Sequence, residues 1–287
     1  MTEMTGKTAL VTGANTGLGY ETAKALAAMG ARVIVAGRSP GKVDDAIARI
    51  RAEQPDAALE AGSLDLNSLA AVASFAETIR AAHDRLDLLV NNAGVMVPPA
   101  GRTEDGFETQ FGVNFLAHFA LTGRLHDLLA TSPGARVVTL SSVAHRGAAI
   151  DFGNFRLEKP YDPWREYGQS KLADLIFALE FDKRLRAKGG SVASLAAHPG
   201  ISSTELTRSL GAVPDNVNFM SAADGAAPTL MAATSPAAES GGFFGPDGPG
   251  ETSGGPAPAR IDPAARDAGL NARLWDWAQA ATGLRFP

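Results

Sequence analysis

The sequence predicts an α/β fold: a doubly wound parallel sheet of about seven strands, with helices on both faces. Three observations carry this. Short apolar runs of strand length alternate with longer helical stretches from Thr8 to Ala197, the rhythm of strands joined by crossover helices. A glycine cluster, Gly13, Gly17 and Gly19, stands between the first strand and the first helix. Gly13, Arg38, Asp65, Asn92, Ser142 and Gly200 all fall at strand ends, where open parallel sheets bind ligands.

Taken in order, Thr8 to Thr12 reads as a buried strand, and Tyr20 to Met29 as a helix rich in Ala and Leu, stopped by Gly30. Arg32 to Ala36 is the second strand. Pro40 to Ala52 is a helix with proline in its first turn. Ala57 to Leu66 carries a third strand ending near Asp65. Ser68 to Ala82 sets Leu69, Val72, Phe75, Ala76 and Ile79 at helical spacing. Leu86 to Val90 is a strand followed by Asn91-Asn92-Ala93-Gly94, and Phe107 to Leu129 contains a long helix holding Asn114. Arg136 to Leu140 is a strand running into Ser141-Ser142. Trp164 to Lys188 is helical, and Val192 to Ala197 is a sixth strand ending in His198-Pro199-Gly200.

Two segments break the rhythm. Ile201 to Met220 has no clear period and reads as a substrate loop, a lid that orders on binding. Ser235 to Arg260 holds 12 glycines and prolines in 26 residues. Gly242 to Gly245 is its one candidate strand; the rest reads as loop before a terminal helix, Leu270 to Ala281, carrying Trp275 and Trp277. Residues 1–287 read as a single domain.

Composition excludes several functions. The net charge is −5 with no basic block, which argues against a nucleic-acid partner. There are no cysteines, so no disulfide framework and no thiolate metal site. The five histidines show no metal-ligand spacing, and no metal is expected. No apolar run reaches the ~18 residues of a membrane span, and Met1 to Lys7 is polar, so a cytoplasmic location is expected.

The chemistry centres on Tyr167-Gly168-Gln169-Ser170-Lys171. On a helix, residues four apart share a face, which brings the Lys171 ammonium to the Tyr167 phenol. A free tyrosine has a pKa of about 10, and a fixed cation beside it favours the phenolate. Such a pair donates and accepts protons near neutral pH. At the other end of the chain, strand, glycine turn and helix form a dinucleotide-binding entry, although the spacing is GxxxGxG. An acidic residue ends the second strand of many NAD enzymes. Here that place is Gly37-Arg38. Gly37 leaves room for a bulky group and Arg38 offers a planar fork suited to a phosphate, so NADP(H) is the preferred cofactor and NAD(H) the alternative.

With these residues in hand, the chain resembles the short-chain dehydrogenase/reductase family over nearly its whole length. The matching motifs are Thr12-Gly13-Ala14-Asn15-Thr16-Gly17-Leu18-Gly19, Asp65-Leu66, Asn91-Asn92-Ala93-Gly94, Asn114, Ser142, Tyr167 to Lys171 and Pro199-Gly200. Within the family it looks most like the retinol dehydrogenases and the oxidoreductase domains of WW-domain proteins. The clues are Asn15-Thr16, Ser142-Val143-Ala144-His145 and the ending Leu-Trp…Thr-Gly-Leu-Arg-Phe. The resemblance implies a Rossmann fold and a catalytic group of Asn114, Ser142, Tyr167 and Lys171. Tyr167 would pass the proton, Ser142 would hold the substrate oxygen, and Asn114 would hold a water linking Lys171 to solvent. Gly13, Asn15, Thr16, Gly17 and Leu18 would line the pyrophosphate and Asp65-Leu66 the adenine. Asn92, Ala93 and Gly94 would meet the ribose side, and Pro199, Gly200 and Ile201 the nicotinamide amide.

The resulting expectation is an oxidoreductase interconverting a carbonyl and an alcohol on a small, lipophilic molecule. The expected substrate wall is Val95, Met96, Val97, His145, Arg146, Phe152, Phe155, Tyr161, Trp164 and the 201–220 loop. Two rivals stand beside it: a dinucleotide-binding regulator without turnover, and a double-bond reductase of the protochlorophyllide type. Relatives often form homo-oligomers through the two long helices. The inserted segment after Ser142 bears on that surface, so the oligomeric state is open.

Overall fold

The computed structural model describes residues 2–204 and 219–287. Among these, eight strands form one sheet: β1 (Thr8–Thr12), β2 (Arg32–Gly37), β3 (Leu59–Ser63), β4 (Leu88–Asn91), β5 (Arg136–Leu140), β6 (Ala193–Ala197), β7 (Phe243–Pro246) and β8 (Pro256–Pro258). Their order across the sheet is β3-β2-β1-β4-β5-β6-β7-β8. All pairs are parallel except β7 with β8. The chain therefore starts at the centre, winds one way to β3, then returns past β1 and winds the other way. The crevice opened by that reversal, between the ends of β1 and β4, is where such sheets bind ligands.

The two faces follow from the period of two along each strand. In β2, Val33 and Val35 point into one core while Ile34 and Ala36 point into the other. The first core is covered by α1 (Gly17–Ala28), α2 (Pro40–Glu53) and α6 (Ala222–Thr234). The second is covered by α3 (Leu69–Ala82), α4 (Ala117–Ala130), α5 (Pro163–Ala187) and α7 (Ala268–Thr282). In α7 the Trp275 ring, 2% exposed, lies 4.9 to 6.0 Å from the rings of Phe119, Phe177, Phe181 and Phe286.

The structure corrects the sequence reading in three places. The sheet has one strand more than expected, because the segment read as loop pairs Pro256–Pro258 antiparallel with β7. The third strand is shorter, Leu59–Ser63. The helix expected from Phe107 is interrupted: Phe111–Leu116 is a π turn, and α4 begins at Ala117. Of the expected lid, residues 205–218 lie outside the described residues. Its two ends meet, with the Met220 amide donating to the Ile201 carbonyl at 2.9 Å.

Candidate functional site

The glycine turn after β1 is shaped by backbone geometry. Gly13 and Gly17 adopt φ of 66° and 56°, a region costly for residues with a Cβ. At Gly19 an added Cβ would collide with the Gly13 carbonyl and the Asn92 amide, so α1 packs directly against the turn. The N-cap residue of α1, Thr16, makes no side-chain cap. The first amides of the helix are thus left for a ligand, and a helix N-terminus favours an anion.

Thr12 ties this turn to β4. Its hydroxyl oxygen accepts from the Asn92 amide at 2.9 Å and the Ala93 amide at 3.0 Å. With two donors aimed at it, the hydroxyl donates to His118 Nε2, 2.9 Å away. His118 then carries its proton on Nδ1 and donates to the Asn114 carbonyl at 2.7 Å. Burial lowers the His118 pKa to about 4, against the backbone hydrogen bond, and the positive charge of Lys171 adds to the lowering. The histidine is therefore a neutral strut between the glycine turn and the π turn. Its ring joins Thr12, 106 residues away, to Asn114, one helical turn back.

Asn114, in the π turn, is fully engaged. Its Oδ1 accepts from the Val95 amide at 2.8 Å, and its Nδ2 donates to the Val95 carbonyl at 2.9 Å and to Ser170 Oγ at 3.0 Å. Ser142, at the end of β5, caps a 3₁₀ turn, Val143–His145, by accepting from the Ala144 amide at 3.2 Å. Tyr167 and Lys171 lie on α5, which is capped by Asp162 and starts with Pro163. Trp164 stands edge-on to the Tyr167 ring, centroids 6.2 Å apart, and is 55% exposed. Lys171 is buried; its Nζ donates to the Leu140 carbonyl at 3.0 Å and to Asp174 Oδ2 at 2.7 Å. Asp174 did not figure in the sequence reading, although the i,i+3 spacing on a helix could have suggested it.

Two adjoining cavities result. One, of about 320 Å³, is lined by Ser142, Tyr167, Lys171, Trp164, Val95, Met96 and Pro199 to Ser202. The other, of about 780 Å³, runs over Gly13, Asn15 to Gly19, Gly37 to Ser39, Lys42, Leu64 to Asn67 and Asn92 to Pro99. Leu18, Asn92, Gly94, Val95 and Met96 border both. Lys42, in the first turn of α2, is a neighbour of Arg38 that the sequence reading missed. At Gly37 an added Cβ would lie 2.6 Å from Asn15 Oδ1, while the glycine itself borders the larger cavity. Asp65 does not cap α3, whose N-cap is Ser68; Asp65 accepts from the Asn67 amide at 2.9 Å.

Half of the expected substrate wall sits elsewhere. Phe155 is buried and stacked on Phe111 at 4.2 Å, and Phe152 packs against the same core. The Tyr161 hydroxyl donates to the Pro98 carbonyl at 2.7 Å. His145 is buried with its Nδ1 2.6 Å from the Ser142 carbonyl. Arg146 pairs with Glu251. Glu251 also meets His198 Nε2 at 2.9 Å, and so braces the strand end before Pro199-Gly200. Burial lowers the His198 pKa to about 4, against the pull of Glu251.

The neutral state of His118 makes a stability prediction. Its folded pKa lies below the ordinary 6.5, so unfolding takes up a proton between pH 6.5 and about 4. The stability that His118 contributes is full above 6.5 and drains as the pH falls through that window. In urea unfolding, the advantage of wild type over His118→Phe should shrink by about 1.4 kcal/mol per pH unit below 6.5. A pH-independent difference would mean that His118 titrates in the folded protein.

Comparison with known proteins agrees with this architecture. A family model described as short chain dehydrogenase matches residues 7–214. Mouse "Retinol dehydrogenase 12" is 45% identical over 206 residues, covering 72% of this chain and 65% of that protein. The chain thus spans somewhat less than two thirds of that relative's length. Mouse "Polyprenol dehydrogenase" is 40% identical over 98% of this chain and 84% of its own. Among solved structures, an uncharacterized protein from Mycobacterium paratuberculosis matches with a TM-score of 0.85 and 38% identity, over 100% of this chain and 97% of its own. No helix among the described residues is long and apolar enough to cross a membrane.

Proposed function

The chain belongs to the short chain dehydrogenase family, and from that premise we propose that it interconverts an alcohol and a carbonyl on a small lipophilic molecule, using NADP(H). One observation carries the reading: Ser142, Tyr167 and Lys171 line a single cavity that shares Asn92, Gly94, Val95 and Met96 with the one floored by the glycine turn. A bound nicotinamide cofactor supplies or accepts the hydride. Tyr167 gives the proton to the carbonyl oxygen, or takes it from the alcohol, while Ser142 donates a hydrogen bond to the same oxygen as charge develops there. Lys171 sets its ammonium beside the phenol and the ribose. Asn114 keeps Val95 and Ser170 in register with them. Gly13, Asn15, Thr16, Gly17 and Leu18 hold the pyrophosphate, Asp65 and Leu66 the adenine, Asn92, Ala93 and Gly94 the ribose side, and Pro199, Gly200 and Ile201 the amide. The glycine cradle, the uncapped α1 and a buried Asn92 Oδ1 without a partner fit such a ligand. Val95, Met96, Leu140, Val143 and Ile201 make the reacting cavity mostly apolar, which supports a lipophilic substrate.

A panel of aldehydes, ketones and alcohols followed by NADPH absorbance tests the activity; no turnover of any of them would overturn it. Arg38 and Lys42 border the cavity beyond Gly37 and carry the choice of cofactor. A charge-assisted hydrogen bond contributes roughly 1.5–3 kcal/mol, so Arg38→Ala should weaken NADPH by about one to two powers of ten. NADH should be little affected. The ratio of kcat/KM for the two cofactors is the measurement, and a wild type that prefers NADH would reverse this assignment.

A further inference from the structure

Lys171 does not stand alone under Tyr167. One turn further along α5, the Asp174 carboxylate reaches back to it, with Nζ to Oδ2 at 2.7 Å and side-chain exposures of 7% and 2%. A second N–H of the ammonium goes to the Leu140 carbonyl at 3.0 Å. Two of its three donors are therefore fixed on the side away from solvent, leaving the third for the cavity that Lys171 lines. Resting on the reading of Tyr167 and Lys171 as the proton-handling pair, we propose that Asp174 is a positioning residue: it aims the Lys171 ammonium at the cavity and keeps it charged in a buried setting.

The charges around the pair are few. On α5 they are Tyr167 and the two partners, and from α4 the neutral His118 feels the charge of Lys171. Burial pulls Lys171 towards its neutral form, but the charges of Asp174 and Tyr167 and the hydrogen bond to Asp174 outweigh it, and its pKa is raised. Burial acts in the other sense on Asp174 and pushes its carboxyl up to about 7, against the pull of Lys171. Each partner favours the charged form of the other, and they meet at 2.7 Å. Asp174 Oδ1 is buried with no partner, so Lys171 is the group that this carboxylate is built around.

Asp174→Asn keeps an acceptor at the same place and removes the charge. The test needs no turnover: the protein has seven lysines, and the ¹³Cε resonance of Lys171, assigned with Lys171→Arg, can be titrated in the full chain. In wild type it should stay in the charged position to the alkaline end of the titration. In Asp174→Asn its midpoint should fall by about one pH unit or more. With a carbonyl compound turned over by wild type, the alkaline limb of kcat/KM should move down by the same amount, while the plateau near pH 6.5 is kept. Asp174→Glu restores the charge but not the reach, and should recover the alkaline limb with a lower plateau; it also serves if the Asn variant fails to fold. A Lys171 titration unchanged in both variants would overturn the proposal and leave Asp174 as packing. If wild type turns over nothing, the activity reading fails, and the lysine titration still decides the role of Asp174.

Discussion

Tyr167→Phe should lower kcat by roughly 10²–10⁴-fold, the usual contribution of a positioned acid or base, with NADPH affinity nearly unchanged. The substitution removes one oxygen and keeps the ring that Trp164 packs against. Gly94, Asn92 and the glycine turn, which border the larger cavity, are untouched. Lys171→Ala should behave differently. It removes the buried ammonium and leaves the Asp174 carboxylate without its partner, so turnover and cofactor affinity should fall together. Rates and NADPH dissociation constants, from absorbance and fluorescence titration, separate the two patterns. Near-normal turnover in Tyr167→Phe would remove the phenol from the chemistry.

Trp275→Ala should cost about 3–5 kcal/mol of stability, as large-to-small changes in aromatic cores do. Trp275 sits where α4, α5 and α7 converge. Its ring lies nearly parallel to Phe177 and Phe181 and edge-on to Phe119, with Arg184 stacked over it at 4.8 Å. No single neighbour can fill the space of an indole, because Phe119, Phe177 and Phe181 are themselves fixed in the core. Urea unfolding at neutral pH measures the loss. A cost below about 1 kcal/mol would mean that the cluster closes around the gap, the outcome for sites that can collapse. Since Tyr167 and Lys171 ride on the same helix as Phe177 and Phe181, the variant also reports how far the site depends on the packing behind it.

The strands and helices were legible because their signals are local. Each central strand is a continuous apolar run, and Gly13, Gly17 and Gly19 mark a turn whose conformation excludes most other residues. The spacing of Tyr167 and Lys171 on one helix face was enough to pair them, and the family resemblance added Ser142 to the pair. What was missed depends on distance in the chain or on backbone detail. β8 is Pro-Ala-Pro, a composition that argues against a strand, yet an edge position tolerates it. The π turn at Asn114 adds one residue to a helical turn, and no residue preference announces it. His118 was hidden because Thr12 lies 106 residues away. Phe152 and Phe155 are expected in the substrate wall, whereas Phe155 stacks on Phe111 and Phe152 packs on Phe155. Asp174 was legible in principle, and was passed over because an acidic residue on a long helix ordinarily faces water.

The antiparallel end of the sheet bears on how copies of this protein can meet. The Ala259 amide donates to the Phe243 carbonyl, and the Asp247 amide to the Gly255 carbonyl. Residues 255, 257 and 259 therefore turn their main-chain groups inward, to β7. The two that turn outward are Pro256 and Pro258, and neither has an N–H. A neighbouring strand arriving at this margin finds carbonyls but no donors, and the ladder stops. The margin is thus terminated chemically, and templated growth of the sheet into fibrils or swapped strands has no starting point there. Self-association at this end of the molecule is left to side chains.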